Sequence, residues 1–233
     1  MFEYVKSQIS QIREEIAFTA EKTGRSANAV KLLAVSKTFP AEAVAAAYKT
    51  GQRIFGENRV QELKDKVPDL PKDIAWHLIG HLQNNKVAQA LDFAGMIHSV
   101  DSKKLLERLN RIAREKNLIA NILFEVNISG EKSKFGMSQE ETKRLADSAL
   151  KLENINLHGL MTMAPFGSDE KKSRTIFSAL RILKEEISKN TDRELPELSM
   201  GMSSDYKEAI KEGATLLRIG SAIFGKRTCS NQY

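Results

Sequence analysis

The stretch Val30–Gly51, "VKLLAVSKTFPAEAVAAAYKTG", decides how the rest of the chain is read. Leu32–Val35 is a continuous apolar run, as in a buried strand; it leads into Ser36 and Lys37, and a helical pattern begins after Pro40. A strand passing through a short turn into a helix is half of a βαβ unit. Lysine is among the residues least often buried, so Lys37 at the mouth of such a strand either snorkels to water or is placed there for its amine.

The same alternation continues along the chain. Apolar runs "LLAVSK", "RIFGEN", "AWHLIG", "MIHSVD", "NILFEVN", "LHGLMTM", "ELSMG" and "LLRIG" are separated by helical stretches, and an amphipathic helix over about Phe2 to Thr23 precedes them all. Strands alternating with helices imply a parallel sheet wound in one direction by right-handed crossovers. Eight such repeats in 233 residues predict the α/β class and a single TIM-type (β/α)8 barrel over residues 1–233, with the extra N-terminal helix packed against it. An open doubly wound sheet is the alternative, but no GxGxxG fingerprint follows the first strand.

Composition narrows the function. The chain is 41% hydrophobic and 28% charged, with no apolar run approaching the roughly 20 residues of a membrane span. Glu14, Glu15 and Lys22 interrupt the N-terminal helix, so it reads as neither signal nor transit peptide. The single cysteine, Cys229, excludes an internal disulfide and fits the cytoplasm. A net charge of +6 raises nucleic acid as a partner, but basic residues alternate with acids, as in "LKEEISK", and no aromatic stripe accompanies them. No nucleic-acid or membrane partner is expected.

In such barrels the chemistry sits at the C-terminal ends of the strands. There the sequence puts Lys37, Glu57, Asn58, His81, Asp101 and Asn127. In "SMGMSSDYKEAI" the chain passes Gly201 to Ser203, Ser204 and Asp205, helix-starting residues with Glu208 at capping-box distance; "RIGSAIFG" ends the eighth strand with Gly220 and Ser221. Glycine lets a backbone approach an anion, helix-start amides bind phosphate, and these two loops are where barrels frequently hold one. A phosphate on that side and an amine from strand one suit a phosphorylated carbonyl compound bound as a Schiff base. Arg218, inside the apolar run "LLRIG", needs a fixed partner: a carboxylate ordinarily, or a pyridine nitrogen. His77 and His81 have i, i+4 spacing, but "WHLIGH" reads as strand into turn and no HExxH is present, which argues against zinc. Lys132 and Lys134 lie on a loop, where solvated lysines are commonplace, and Asp101 is placed to cap the helix beginning with Ser102.

The segments "AVSKTFP", "FGENRVQE", "WHLIGHLQNNK", "HSVDS", "VNISGEKSKFGM", "GLMTM", "LSMGMSSDY" and "RIGSAIFG" resemble the signature segments of the pyridoxal phosphate homeostasis proteins, and more distantly the barrel domain of bacterial alanine racemase. The resemblance runs from about Leu32 to Gly225. It implies a barrel binding pyridoxal phosphate, with Lys37 forming the internal Schiff base, Arg218 facing the pyridine nitrogen, and Ser203, Gly220 and Ser221 holding the phosphate. Asn58 and His81 match family positions at the mouth. Met163 and Met200 border the ring's surroundings, although strand packing also accounts for either.

Two functions follow from the resemblance. One is a cofactor-binding protein of intracellular vitamin B6 homeostasis without main catalytic turnover, a monomer that holds pyridoxal phosphate and other B6 vitamers and passes cofactor to dependent enzymes. The other is an amino-acid racemase, which needs a second acid/base group opposite Lys37. In alanine racemases that group is a tyrosine from a C-terminal β-domain, which this chain is expected to lack. Of Tyr4, Tyr48, Tyr206 and Tyr233, the one nearest the expected phosphate site is Tyr206. An open mouth exchanges cofactor more readily than a closed one, which favours the carrier.

Overall fold

The computed structural model describes residues 2–131 and 134–225. Helix α1 (Tyr4–Lys22) comes first. Then follow β1 (Lys31–Val35), α2 (Ala41–Tyr48), β2 (Ile54–Glu57), α3 (Val60–Lys66), β3 (Ala75–Leu78), α4 (Val87–Phe93), β4 (Met96–Val100) and α5 (Lys103–Glu115). The second half continues with β5 (Ala120–Glu125), α6 (Gln139–Ala149), β6 (Ile155–Met161), α7 (Glu170–Thr191), β7 (Glu197–Ser199), α8 (Tyr206–Lys211), β8 (Leu216–Ile219) and α9 (Ser221–Phe224). The strands pair in sequence order into a closed parallel barrel. It is sealed where Leu33 of β1 lies in register with Arg218 of β8.

Alternation along each strand sorts the side chains into two layers. Leu32 and Ala34 of β1, Leu217 and Ile219 of β8 and Phe124 of β5 face outward into the main core beneath the helices. Helix α5 meets that core with Leu105, Leu106, Leu109 and Ile112, and α1 with Val5, Ile9, Ile12 and Ile16, the three- and four-residue spacing of one helix face. Burial of such side chains contributes about 1.5–3 kcal/mol each. The inward layer is different. Its apolar part is small, formed by Leu123, Met161 and Leu216 with Met96 against them. Above it the barrel is filled by polar groups: His77, His98, Ser199 and Arg218 are all buried.

Two helix starts differ from expectation. Ser102, not Asp101, caps α5 by accepting from the Leu105 amide, which frees Asp101 to pair with His81. The capping box of Asp205 and Glu208 does not form, because Asp205 Oδ1 turns back to accept from the Met202 amide at 2.6 Å. Glu208 bonds Lys211 instead.

Candidate functional site

Strand β1 ends at Val35, so Lys37 sits two residues beyond it, in a turn before α2. The next residue, Thr38, has φ +68°, a left-handed conformation that disfavours a β-branched side chain. Here the chain leaves the barrel wall. Across the β1–β8 seam the two halves of the expected site meet, because a Cβ on Gly220 would lie 3.2 Å from the Val35 carbonyl oxygen. Glycine therefore lets the loop after β8 lie against the strand that presents Lys37.

The loops after β7 and β8 also converge. Gly201, at φ +90°, turns the chain out of β7 where a Cβ would collide with Ala209. The Ser203 hydroxyl then reaches the first turn of α9 and accepts from the Ala222 amide at 3.3 Å. Ser203, Gly220 and Ser221 are thus brought together, beside the end of β1.

Arg218 lies within the barrel, 5% exposed, and carries no carboxylate partner at bonding distance among the described residues. Its Nη1 donates to Ser199 Oγ at 2.6 Å and its Nη2 to the Thr162 carbonyl at 2.9 Å. Burial lowers its pKa to about 10, with Glu125 and Asp205 acting in the opposite sense, so it remains a cation at neutral pH. Behind it runs a polar chain: His98 Nδ1 meets Ser199 Oγ at 2.9 Å, and His98 Nε2 meets His77 Nδ1 at 2.8 Å. Every group is satisfied if Ser199 donates to His98 and His98 donates to His77, with both imidazoles neutral. Burial drives both histidines well toward the neutral form, His77 to about 4.

On the other side of the mouth, His81 Nδ1 lies 3.1 Å from Asp101 Oδ2, and its ring stacks on Phe135 at 4.2 Å between centroids. Asn58 is half-buried in the turn after β2, its backbone packed against Gly80. Met163 is exposed, whereas Met200 is fully buried, so Met200 is strand packing. His77 and His81 part company, one inside the barrel and one at its rim. Lys134 pairs with Glu131 at 2.8 Å; Lys132, Cys229 and Tyr233 lie outside the described residues.

Sequence reasoning passed over Glu125. It ends β5 buried, and burial, reinforced by the Asp101 charge, raises its pKa to about 7. A carboxyl alternating with inward Leu123 was the available signal. The described tyrosines all bond away from the mouth: Tyr206 donates to Glu15 Oε2 on α1, Tyr48 to Asp73, and Tyr4 to the Phe224 carbonyl. Tyr206 is therefore not placed as a second base. A cavity of about 980 Å³ between α1 and α2, lined by Phe2, Lys6, Pro40 and Lys49, lies outside the barrel and includes no mouth residue.

A closed barrel with an amine after strand one, an arginine within strand eight and two converging glycine-containing loops after strands seven and eight defines a class that comparison with known proteins identifies. The family model described as "Alanine racemase, N-terminal domain" matches residues 8–228. Within that class, the chain belongs to the pyridoxal phosphate homeostasis protein family. The pyridoxal phosphate homeostasis protein of Aquifex aeolicus is 41% identical over 221 residues, covering 94% of this chain and 97% of the relative. The structure of PipY of Synechococcus elongatus with pyridoxal phosphate bound superposes with a TM-score of 0.84 at 36% identity, covering 95% of this chain and 100% of that one. Alanine racemase from Corynebacterium glutamicum, at 12% identity and a TM-score of 0.70, shares the fold, with 95% of this chain matching 62% of the enzyme.

Proposed function

We propose that this protein binds pyridoxal phosphate at the barrel mouth and serves vitamin B6 homeostasis as a cofactor carrier rather than an amino-acid racemase. The observation that carries the reading is the buried Arg218 cation, fixed by two neutral oxygens and next to the seam where Lys37, Gly220, Ser221 and Ser203 meet. These residues fit the cofactor's chemistry. A guanidinium that gives two of its five N–H donors to Ser199 and Thr162 keeps others, and its charge, for an acceptor such as a pyridine nitrogen. Two glycine-containing loops with hydroxyls accept a dianion closely. When bound, pyridoxal phosphate supplies an aldehyde whose condensation with a neutral lysine amine forms one C=N bond and releases one water.

The residues of this chain divide the work. Lys37 supplies the amine. Arg218 would hold a positive charge toward the pyridine nitrogen of the bound cofactor, which would disfavour a proton on that nitrogen. Ser203, Gly220 and Ser221 anchor the phosphate, while Asn58, His81 and Met163 border the open side. Among the described residues the tyrosines are tied to α1, Asp73 and Phe224, which supports holding over turnover. One barrel unit, working as a monomer in the cytoplasm and handing cofactor to dependent enzymes, completes the proposal; no helix among the described residues is long and apolar enough to cross a membrane. The test is titration of dialysed protein with pyridoxal phosphate, followed by incubation with L- and D-alanine. One equivalent bound with no change in enantiomeric composition supports a carrier, and steady racemisation overturns it.

A further inference from the structure

Beneath Lys37 lies a cluster of charged groups that neither the phosphate loops nor Arg218 require. Glu57, at the end of β2, is fully buried, and Lys66, at the end of α3, nearly so. Lys66 Nζ donates to Glu57 Oε1 at 2.7 Å and to the Ser36 carbonyl at 2.9 Å. The Ser36 hydroxyl donates to Glu57 Oε1 at 2.6 Å. Glu62, one turn earlier on α3, lies 3.7 Å from Lys66 and accepts the Thr38 amide at 3.0 Å. Burial is the main cause that raises the Glu57 pKa, which favours the protonated carboxyl. Its Oε2 is buried without a hydrogen-bond partner among the described residues.

These contacts land on the residues either side of Lys37: on both the side chain and carbonyl of Ser36, and on the amide of Thr38. Thr38 is also the residue held at φ +68°, a strained conformation that persists only where the surroundings enforce it. A buried lysine and carboxyl would ordinarily be replaceable by apolar side chains at little cost. Here the pair also bonds the hydroxyl and carbonyl of Ser36.

We infer that Glu57, Glu62 and Lys66 form a positioning clamp for Lys37, holding residues 36–38 so that the amine is presented at a fixed point in the mouth. This rests on Lys37 being the amine that captures pyridoxal phosphate. The clamp touches the backbone on both sides of the lysine and leaves the phosphate loops alone, so its loss should slow capture without releasing the cofactor's phosphate anchor. A misplacement of the order of 1 Å can cost about a hundredfold in such reactions, so partial loss of the clamp should slow capture about tenfold.

The test compares wild type with Glu62→Ala, which removes the Thr38 acceptor at a partly exposed site, and with Lys66→Met. Three quantities are read: the rate of borohydride-trappable attachment at Lys37, total pyridoxal phosphate retained, and competitive labelling of Lys37 by an amine reagent in cofactor-free protein. Both variants should lose about tenfold in capture rate, with altered Lys37 labelling and retention within about twofold. Adding Thr38→Asn to Glu62→Ala should restore part of the rate, because asparagine tolerates the left-handed conformation better than threonine. Capture within twofold of wild type in folded Glu62→Ala overturns the clamp, as does a parallel fall in capture and retention. If Lys66→Met does not fold, Glu62→Ala alone decides. Absence of trapping at Lys37 in wild type would instead overturn the proposed function.

Discussion

Arg218 Nη1 donates to Ser199 Oγ at 2.6 Å, and through that serine the arginine is joined to His98 and His77 inside the barrel. The strand that carries the arginine and the strand that carries the serine are neighbours in the sheet. The orientation of the guanidinium is thus set by the barrel wall and not by a carboxylate. Replacing Ser199 by Ala leaves a buried cation short of one acceptor, at a cost of about 1–3 kcal/mol in urea unfolding. It should also shift the absorbance of bound pyridoxal phosphate. A spectrum identical to wild type would separate Ser199 from the site.

Arg218→Ala removes the charge itself. The bound cofactor should then titrate at its ring nitrogen within the accessible pH range, seen as a pH-dependent absorbance that wild type lacks. A pH-independent spectrum in the variant would place the ring nitrogen elsewhere.

Ser203→Ala removes the hydroxyl that approaches the start of α9. A hydrogen bond to a charged group contributes about 1.5–3 kcal/mol, so retention of pyridoxal phosphate should weaken by about ten- to a hundredfold, while unphosphorylated pyridoxal is affected little. Equal losses for the two vitamers would argue against a phosphate contact.

The buried histidine pair gives the stability a pH dependence of known sign. His77 has a folded pKa of about 4, below its ordinary value of 6.5, and burial is the main cause; His98 shifts the same way. The unfolded chain therefore binds more protons below the ordinary value, so stability from this pair is complete above it and is lost as pH falls toward about 4. His77→Phe should flatten unfolding free energy against pH over that window. An unchanged slope would show that other groups govern acid unfolding.

Tyr206→Phe distinguishes carrier from racemase. The phenol is bonded to Glu15 at 2.6 Å, so its loss should cost about 1 kcal/mol of stability and leave cofactor content unchanged. Loss of an amino-acid turnover on this substitution would return Tyr206 to the site.

The strands were legible because a parallel strand buried on both faces writes itself as an apolar run, and each expected run overlaps one of the strands in the closed barrel, with β1, β5 and β6 starting one or two residues earlier than expected. Arg218 stood out for the same reason, as a charge inside such a run. His77 and His98 carried that signal too, in "AWHLIG" and "MIHSVD", but their partners were invisible: His98 meets Ser199, 101 residues away. Glu57 and Lys66 looked like a strand end and a solvated helix lysine. Only folding α3 back under β1 turns them inward, toward Ser36. Helix caps misled most, since Asp101 and Asp205 have cap chemistry but spend their carboxylates on His81 and the Met202 amide.

The most direct measurement is borohydride reduction of the protein loaded with pyridoxal phosphate, followed by peptide mapping. One pyridoxyl group per chain is expected, on Lys37, and none in Lys37→Ala, which keeps the fold and retains cofactor only weakly. A pyridoxyl group on another lysine, or a visible band that survives in Lys37→Ala, would contradict that assignment.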